Sequence, residues 1–363
     1  MGAREGADHA ALSAAARPGR KEGATDWDGH VPHAERSDGA SALSAARMGI
    51  AAKRGKRALD HVRCNLCGAD DARVYYPSTM PEENGRPADP EHYHCTTLSY
   101  GEHYRIVQCR LCGLVYTDPR RPAGAIWRDY EDVVDERYLE EREGRVATFH
   151  RNIWPLEAMV TGHDGRRLLD VGAHVGVFVE VAQERGWDAW GLEPSRWAVE
   201  VGRTRGLNMI QGGLRDAELD SDTFDAVTMW DVVEHLLDPL AELREAARVL
   251  KPGGLLLAHT INIDSSFARL MGKRWPWLVE MHNFFFSPST LGAMVAKAGL
   301  QVESWRVQGR YLHLGYLLSR LSGWSEPLGR AAEGAARAVG VSQWLVPVNF
   351  GDLFTLYARK PKG

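Results

Sequence analysis

Leu168, Leu169 and Val171 form a short apolar run that stops at Gly172. A second glycine, Gly176, precedes Val177, Phe178, Val181 and Ala182, which recur at helical spacing until Gly186 supplies the stop. The pattern predicts a buried strand, a tight turn and a helix, followed by a second strand ending in Gly191-Leu-Glu-Pro. Similar alternation continues to the C-terminus, with strands predicted at 167–171, 189–193, 208–211, 226–230, 255–261, 301–307 and 352–359. Between the fourth and fifth, Asp238-Pro239 reads as an N-cap followed by proline at the first helical position. Leu240, Leu243, Ala247 and Leu250 form the inward stripe of that helix, and Lys251-Pro-Gly-Gly254 ends it and turns into the next strand. Strands alternating with helices imply a sheet covered on both faces. The fold class expected is α/β: a doubly wound, mostly parallel seven-stranded sheet, with a small zinc-ribbon-like module ahead of it.

Four segments follow from the patterning. Residues 1–58, rich in Ala, Gly, Arg, Ser and Asp without sustained periodicity, read as a disordered tail, with Met48 as an alternative start. Residues 59–122 hold all five cysteines, four of them in two pairs, and form the metal-binding module. Residues 123–162 are charged and aromatic, with Tyr130, Val134, Tyr138 and Arg142 at helical spacing, and are expected to form connector or lid helices. Residues 163–363 form the sheet domain. The formal net charge of −4 gives no global field for nucleic acid, and no run of about 18 apolar residues spans a membrane. No apolar signal core opens the chain, so a cytoplasmic protein is expected, whose paired cysteines bind metal rather than form disulfides.

Cys64-Asn-Leu-Cys67-Gly and Cys109-Arg-Leu-Cys112-Gly are two knuckles, each able to present two thiolates to one ion. The glycine after each second cysteine permits the tight backbone that aims N–H groups at sulfur. Four thiolates satisfy tetrahedral Zn2+ and leave no open position, so the expected role is structural. Cys95, near His92 and His94 in the 41-residue spacer, is expected to be a spare buried thiol.

The free N–H groups of the helix start after Gly172 suit a polar ligand tail. Glu193 follows Asp170 by 23 residues, close to the ~20-residue spacing at which an acid meets ribose hydroxyls in nucleotide-binding α/β folds. Together they point to a nucleotide-like cofactor.

Four ordered motifs carry a resemblance. Asp170-Val-Gly-Ala-His-Val-Gly176, Glu193-Pro194, the stretch from Phe224 to Trp230-Asp-Val-Val-Glu-His235, and Leu250-Lys-Pro-Gly-Gly254 resemble the successive motifs of class I S-adenosylmethionine-dependent methyltransferases. The Val-Val-Glu-His segment is similar to ubiquinone-pathway O-methyltransferases. The cysteine module, followed by Gly113-Leu-Val-Tyr-Thr-Asp-Pro119, resembles the zinc-binding region fused to bacterial methyltransferases, some of them sugar C-methyltransferases. The resemblance implies S-adenosyl-L-methionine as cofactor. It places Asp170, Gly172, Ala173 and Gly176 around the methionine part, Glu193 on the ribose, Gly213 and Leu214 against adenine, and Trp230 over the adenosyl region. Asp231 is expected at the cofactor amine or the acceptor. His174 stands where the family has a third glycine.

Methyl transfer to a hydroxyl benefits from a base, and histidine suits that task near neutral pH. His282 ranks first and His235 second, while His259 reads as a histidine that holds a loop. Trp275, Trp277, Phe284, Phe285 and Phe286 form an aromatic cluster divided between core and acceptor pocket. Segment 311–348 reads as an amphipathic cover or a face for a lipid-linked acceptor at a membrane surface. The leading expectation is O-methylation of a small-molecule, glycan or lipid-linked acceptor. C-methylation of a nucleotide-linked sugar, RNA methylation and non-catalytic cofactor binding are the alternatives.

Overall fold

The computed structural model describes residues 59–80, 93–97, 99–160 and 166–362. The expected tail at 1–58, Met48 and His92 lie outside them. Strands β1 (Ala72–Tyr76), β2 (Ile106–Cys109) and β3 (Val115–Thr117) come first. β4 (Arg167–Val171), β5 (Asp188–Glu193), β6 (Asn208–Gln211), β7 (Phe224–Trp230) and β8 (Leu250–Ile261) follow. β9 (Phe284–Phe285), β10 (Gln301–Val307), β11 (Arg310–His313), β12 (Leu345–Val348) and β13 (Leu353–Arg359) complete the series.

All seven strands expected from periodicity lie in one seven-stranded sheet, ordered β10-β13-β8-β7-β4-β5-β6. The five central and β6-side strands pair in parallel, while β13 runs antiparallel to both β8 and β10. Alternation along β4 sends Leu169 and Val171 to one face and Leu168 to the other. The first face buries Leu243, Ala246 and Val249 of helix Pro239–Val249, whose N-cap Asp238 accepts from the Ala241 N–H. The second face buries Phe178 and Ala182 of helix Val177–Glu184 together with Ile153 and Leu156 of the connector. Truncating a buried leucine such as Leu243 to alanine removes about 2–5 kcal/mol from such a core.

Three features depart from the expected pattern. The strand expected at 255–261 starts earlier: Leu250 pairs with Phe224 and Leu255 with Ala226, so 251–254 bulge out within β8. The connector helices are short and separated by breaks whose places the periodicity does not mark. They are Ala123–Asp132, Arg137–Glu140, Arg142–Asn152 and Trp154–Met159, the first break falling where Val133 turns extended (ψ 131°). The aromatic stretch Phe284–Phe285 adds a fourth strand to the sheet of the cysteine module, in the order β1-β2-β3-β9, with Phe285 opposite Val115 and Phe284 opposite Tyr116. Through it the module shares an apolar core with the large sheet: Cys64, Leu66, Leu114 and Tyr116 join the cluster that holds Leu169 and Leu256.

Between β10 and β13, the β11–β12 hairpin encloses helices Leu314–Ser319 and Glu326–Ala338. Trp324, Leu328, Val339, Trp344 and Phe350 are exposed here. Among the described residues, no helix is long and apolar enough to cross a membrane.

Candidate active site and cysteine centre

The carboxyl ends of β4, β5, β6 and β7 share one edge, where open α/β sheets form their ligand crevice. After β4 the chain turns through Gly172 (φ 70°) and Gly176 (φ 78°), the latter capping helix Val177–Glu184. The protein itself demands both glycines. A Cβ on Gly172 would stand 2.5 Å from Val232 Cγ2, and one on Gly176 would stand 2.6 Å from Leu207 Cδ1. The N–H groups of Gly172 and Ala173 donate to Leu192 O at 2.7 and 3.1 Å, which ties the turn to β5. Glu193 ends β5, buried, and accepts one backbone N–H on each oxygen: His174 at 2.8 Å and Ser195 at 2.9 Å. Each oxygen keeps a second lone pair for a ligand hydroxyl. Burial raises its carboxyl to about 7, against the pull of those two N–H groups. Asp170 accepts from the Thr228 hydroxyl at 2.7 Å, and burial raises it to about 8.

Asp231 follows β7 with φ 54°, and Arg310 from β11 donates to both its oxygens at 3.1 and 3.2 Å. Burial pushes this carboxyl up, but Arg310, His259, His235 and Arg145 outweigh it and hold it below the usual range. Gly213 and Leu214 follow β6. Leu214 turns into the core, and the edge of Trp127 from helix Ala123–Asp132 would meet a Gly213 Cβ at 2.8 Å. Trp230 is engaged in core packing, its ring 5.4 Å from Phe149 and 5.2 Å from Phe178, with its indole N–H buried and unpartnered.

His235 and His282 lie together, ring centroids 4.7 Å apart. Nδ1 of His282 is 2.8 Å from Trp277 O and Nδ1 of His235 is 3.1 Å from Met281 O. A carbonyl only accepts, so each Nδ1 carries the proton and each Nε2 is left as the acceptor. The Tyr130 hydroxyl adds a contact to His235 Nδ1 at 3.2 Å. Burial lowers His235 to about 4, and burial together with His235 holds His282 well below its ordinary value. Glu234, bonded to the Thr260 hydroxyl at 2.8 Å, is raised to about 8 by burial and by Asp231. Glu234, His235 and His282 bring one donor atom each within 4.8 Å of one another, a separation that a divalent cation could bridge. His259 is fixed by the Thr355 hydroxyl at 2.7 Å. Of the aromatic cluster, Trp275, Phe284, Phe285 and Phe286 are buried in the core, while half-buried Trp277 stacks toward His282 and lies beneath Arg310.

Sequence reasoning missed Arg145. It was Arg142 that fitted the helical stripe, yet Arg142 turns outward to Glu180. The Arg145 guanidinium lies 3.5 Å over Tyr138, pairs with no carboxylate among the described residues, and buries an unpartnered Nε. The spacing of seven from Tyr138 was the available signal. Trp127, Arg310 and Tyr130 were missed as well, because each arrives from an element far along the chain.

The four knuckle cysteines converge, with all four sulfur atoms within 4.8 Å of one another. Cys64 and Cys112 lie 3.4 Å apart, Cys67 and Cys109 3.5 Å. Tetrahedral Zn–S bonds of about 2.3 Å set sulfur–sulfur edges of about 3.8 Å, so the set fits one zinc ion. Backbone N–H groups of Leu66 and Cys67 face Cys64, and those of Leu111 and Cys112 face Cys109. Gly68 and Gly113, at φ 80° and 78°, supply the left-handed turn each knuckle needs. Cys95 departs from expectation. It is not packed in a core but reached by solvent, although protein surrounds it closely enough for burial to raise its thiol to about 12. Asp135 and His174 lie beside it.

The family described as "Methyltransferase domain" matches residues 138–304. The ubiquinone biosynthesis O-methyltransferase of Alkalilimnicola ehrlichii is 36% identical over 161 residues, 40% of this chain and 64% of that protein. Its counterpart in Cereibacter sphaeroides is 32% identical over 181 residues, 42% of this chain and 72% of its own length. The chain thus spans a little under two thirds of the first relative's length and over two thirds of the second's. A solved S-adenosylmethionine-dependent methyltransferase from Archaeoglobus fulgidus overlays at a TM-score of 0.42 and 18% identity, covering 62% of this chain and 100% of that one, a likeness too slight to bear on function.

Proposed function

We propose, from the premise that this chain belongs to the class I S-adenosylmethionine-dependent methyltransferases, that it transfers a methyl group to an oxygen of a small-molecule, glycan or lipid-linked acceptor. One observation carries the reading. A buried acid with spare lone pairs, Glu193, and a paired set of neutral histidines, His235 and His282, stand on the same edge of one sheet.

The residues present fit the cofactor. Glu193 would offer acceptors to a ribose diol, Asp170 would lie beside the methionine part, the ionised Asp231 would suit its cationic amine, and the Arg145 guanidinium, without a carboxylate partner among the described residues, would suit its carboxylate. Ala173 and Gly176 form the turn against which the methionine part would lie. With Leu214 turned into the core, the backbone of Gly213 and the ring of Trp127 are left for the adenine. Trp230 would contribute through its unpartnered indole N–H. Bound S-adenosylmethionine supplies an electrophilic methyl on its sulfonium. The protein contributes alignment at about 3–3.5 Å and a dry pocket.

His282 is the base. Trp277 O fixes its Nδ1–H, so Nε2 takes the acceptor proton, and the ionised Asp231 carboxylate favours the imidazolium that forms. His235 stands second, its ring 4.7 Å from that of His282. Cys64, Cys67, Cys109 and Cys112 hold a structural Zn2+. The exposed Trp344 and Phe350 beside the β11–β12 hairpin fit a lipid-linked acceptor presented at a membrane surface, which co-sedimentation with anionic and neutral vesicles tests.

The test of the main reading is transfer from methyl-labelled S-adenosylmethionine to a panel of quinols, catechols and glycans. His282→Gln should lower kcat by about 10²–10⁴-fold and leave the affinity for S-adenosylhomocysteine unchanged. Full turnover in His282→Gln removes it as the base. Labelled carbon rather than oxygen in the product overturns the O-methylation reading.

A further inference from the structure

We propose that Cys95, Asp135 and His174 form a second metal site, suited to Zn2+ and with one coordination position open to solvent. The three come from separate places: the segment 93–97, the break between helices Ala123–Asp132 and Arg137–Glu140, and the turn after β4. They bring one sulfur, one carboxylate oxygen and one imidazole nitrogen within 4.8 Å of one another.

His174 supplies the independent observation. It is 8% exposed, and neither ring nitrogen has a hydrogen-bond partner among the described residues. Nearly all buried polar groups in folded proteins are paired, and leaving one unpaired costs about 1–3 kcal/mol. His174 also adopts φ 49°, a left-handed backbone that costs a residue with a Cβ about 1–2 kcal/mol. Two penalties fall on one side chain at a position where glycine would incur neither. A ligand bound at the ring accounts for both.

The surroundings are those of a prepared ligand set. Thr96 donates its N–H to Asp135 Oδ2 at 3.2 Å and its hydroxyl to Oδ1 at 2.7 Å, which orients the carboxylate and leaves lone pairs on both oxygens. Tyr138 stacks on the imidazole at 3.7 Å and fixes its plane. Metal sites orient their ligands by such outer contacts. Thiolate, carboxylate and imidazole together suit zinc, and the two negative charges cancel those of the ion. Asp231 and Glu193 offset the field of Arg145 at Cys95. Solvent reaches Cys95, so an ion has a way in. Three protein ligands leave a fourth position for water or for an oxygen of a bound small molecule, unlike the closed four-cysteine centre.

The test counts metal. Zinc per chain is measured on wild type, His174→Gly and Cys95→Ser after equilibration with limiting zinc, and Co2+ titration follows thiolate-to-cobalt absorption. His174→Gly suits the backbone at φ 49° and keeps the fold, which circular dichroism confirms. Wild type should hold one more equivalent than either variant. Affinity for that equivalent should fall at least about tenfold to hundredfold, and the one-thiolate cobalt band should vanish in Cys95→Ser. Cys112→Ser should lose the other equivalent and keep this one. Equal zinc content in wild type, His174→Gly and Cys95→Ser overturns the site, whatever the fate of methyl transfer.

Discussion

Asp352 to alanine is the sharpest probe of how the acceptor side is held. Its Oδ2 accepts the indole N–H of Trp275 and of Trp277, each at 2.9 Å, and the carboxylate is 3% exposed. Hydrogen bonds to a charged acceptor contribute about 1.5–3 kcal/mol each. Trp275 is fully buried, so its N–H would stay unpaired, whereas half-buried Trp277 can recover a water. The expected loss for Asp352→Ala is therefore about 3–5 kcal/mol, a large part of the 5–15 kcal/mol typical of a whole domain. Asp352→Asn keeps an oxygen acceptor without the charge and should lose about 1–2 kcal/mol. The assay is urea unfolding at fixed zinc, comparing midpoints at constant slope. A second readout follows from Trp277 O holding the His282 Nδ1–H: in Asp352→Asn, kcat should fall more than cofactor affinity does. The reasoning fails if Asp352→Ala stays within about 1 kcal/mol of wild type, or if the asparagine variant is destabilised as much as the alanine one.

Gly172→Ala combines φ 70° with a Cβ 2.5 Å from Val232 Cγ2, so it should cost about 2–4 kcal/mol, and adding Val232→Ala should restore the clash part but not the backbone part. Denaturation midpoints of the two single variants and the double decide this, and a harmless Gly172→Ala refutes it. Burial raises Asp170 to about 8 and Glu193 to about 7, both above the unfolded carboxylate value near 4. The stability these groups contribute is complete below about pH 4 and is lost as pH rises through their folded values. Ligand-free protein should accordingly unfold at lower urea at about pH 8.5 than at about pH 6, and Asp170→Asn should narrow the gap; a pH-independent midpoint contradicts the sign. Removing zinc from the four-cysteine centre, by chelation or Cys112→Ser, should depress kcat well before it weakens binding of S-adenosylhomocysteine, as read by calorimetry beside turnover.

The central strands of the large sheet were legible because strands buried on both faces read as short unbroken apolar runs such as Leu255–Leu257. The helix at 239–249 was legible because Asp238-Pro239 caps it locally. β9 was not, since two phenylalanines carry no period and their partners Val115 and Tyr116 lie far upstream. The break at Val133 has neither proline nor glycine to announce it. The convergence of four knuckle cysteines follows from spacing alone. Cys95 was misread because a lone cysteine is usually core, and nothing local shows that Asp135 and His174 will meet it. Leu214 and Trp230 sit where the motifs place ligand contacts, but their side chains satisfy the core first, since burying a large apolar group outweighs a local preference.

The contacts of the cysteine module explain why its metal should govern turnover rather than cofactor binding. Asn65, between the two cysteines of the first knuckle, donates to Asp238 Oδ1 at 2.8 Å and accepts the Leu240 N–H at 3.0 Å, so it holds the start of helix Pro239–Val249. Arg120 donates to Leu237 O at 2.7 Å. The Thr117 hydroxyl donates to His282 O at 3.0 Å, and the Thr117 N–H to Asn283 O at 2.9 Å. Asn283 then closes the circuit, donating its backbone N–H to Glu234 O and its side-chain amide to His235 O, each at 2.8 Å. These contacts end on the loops that carry His235 and His282 or on the helix start that directly follows the first of them. None of them touches Glu193 or the turn at Gly172. A zinc ion bound at the knuckles, as proposed, would therefore set the position of the histidine pair, and its loss should let that pair drift while Glu193 stays in place.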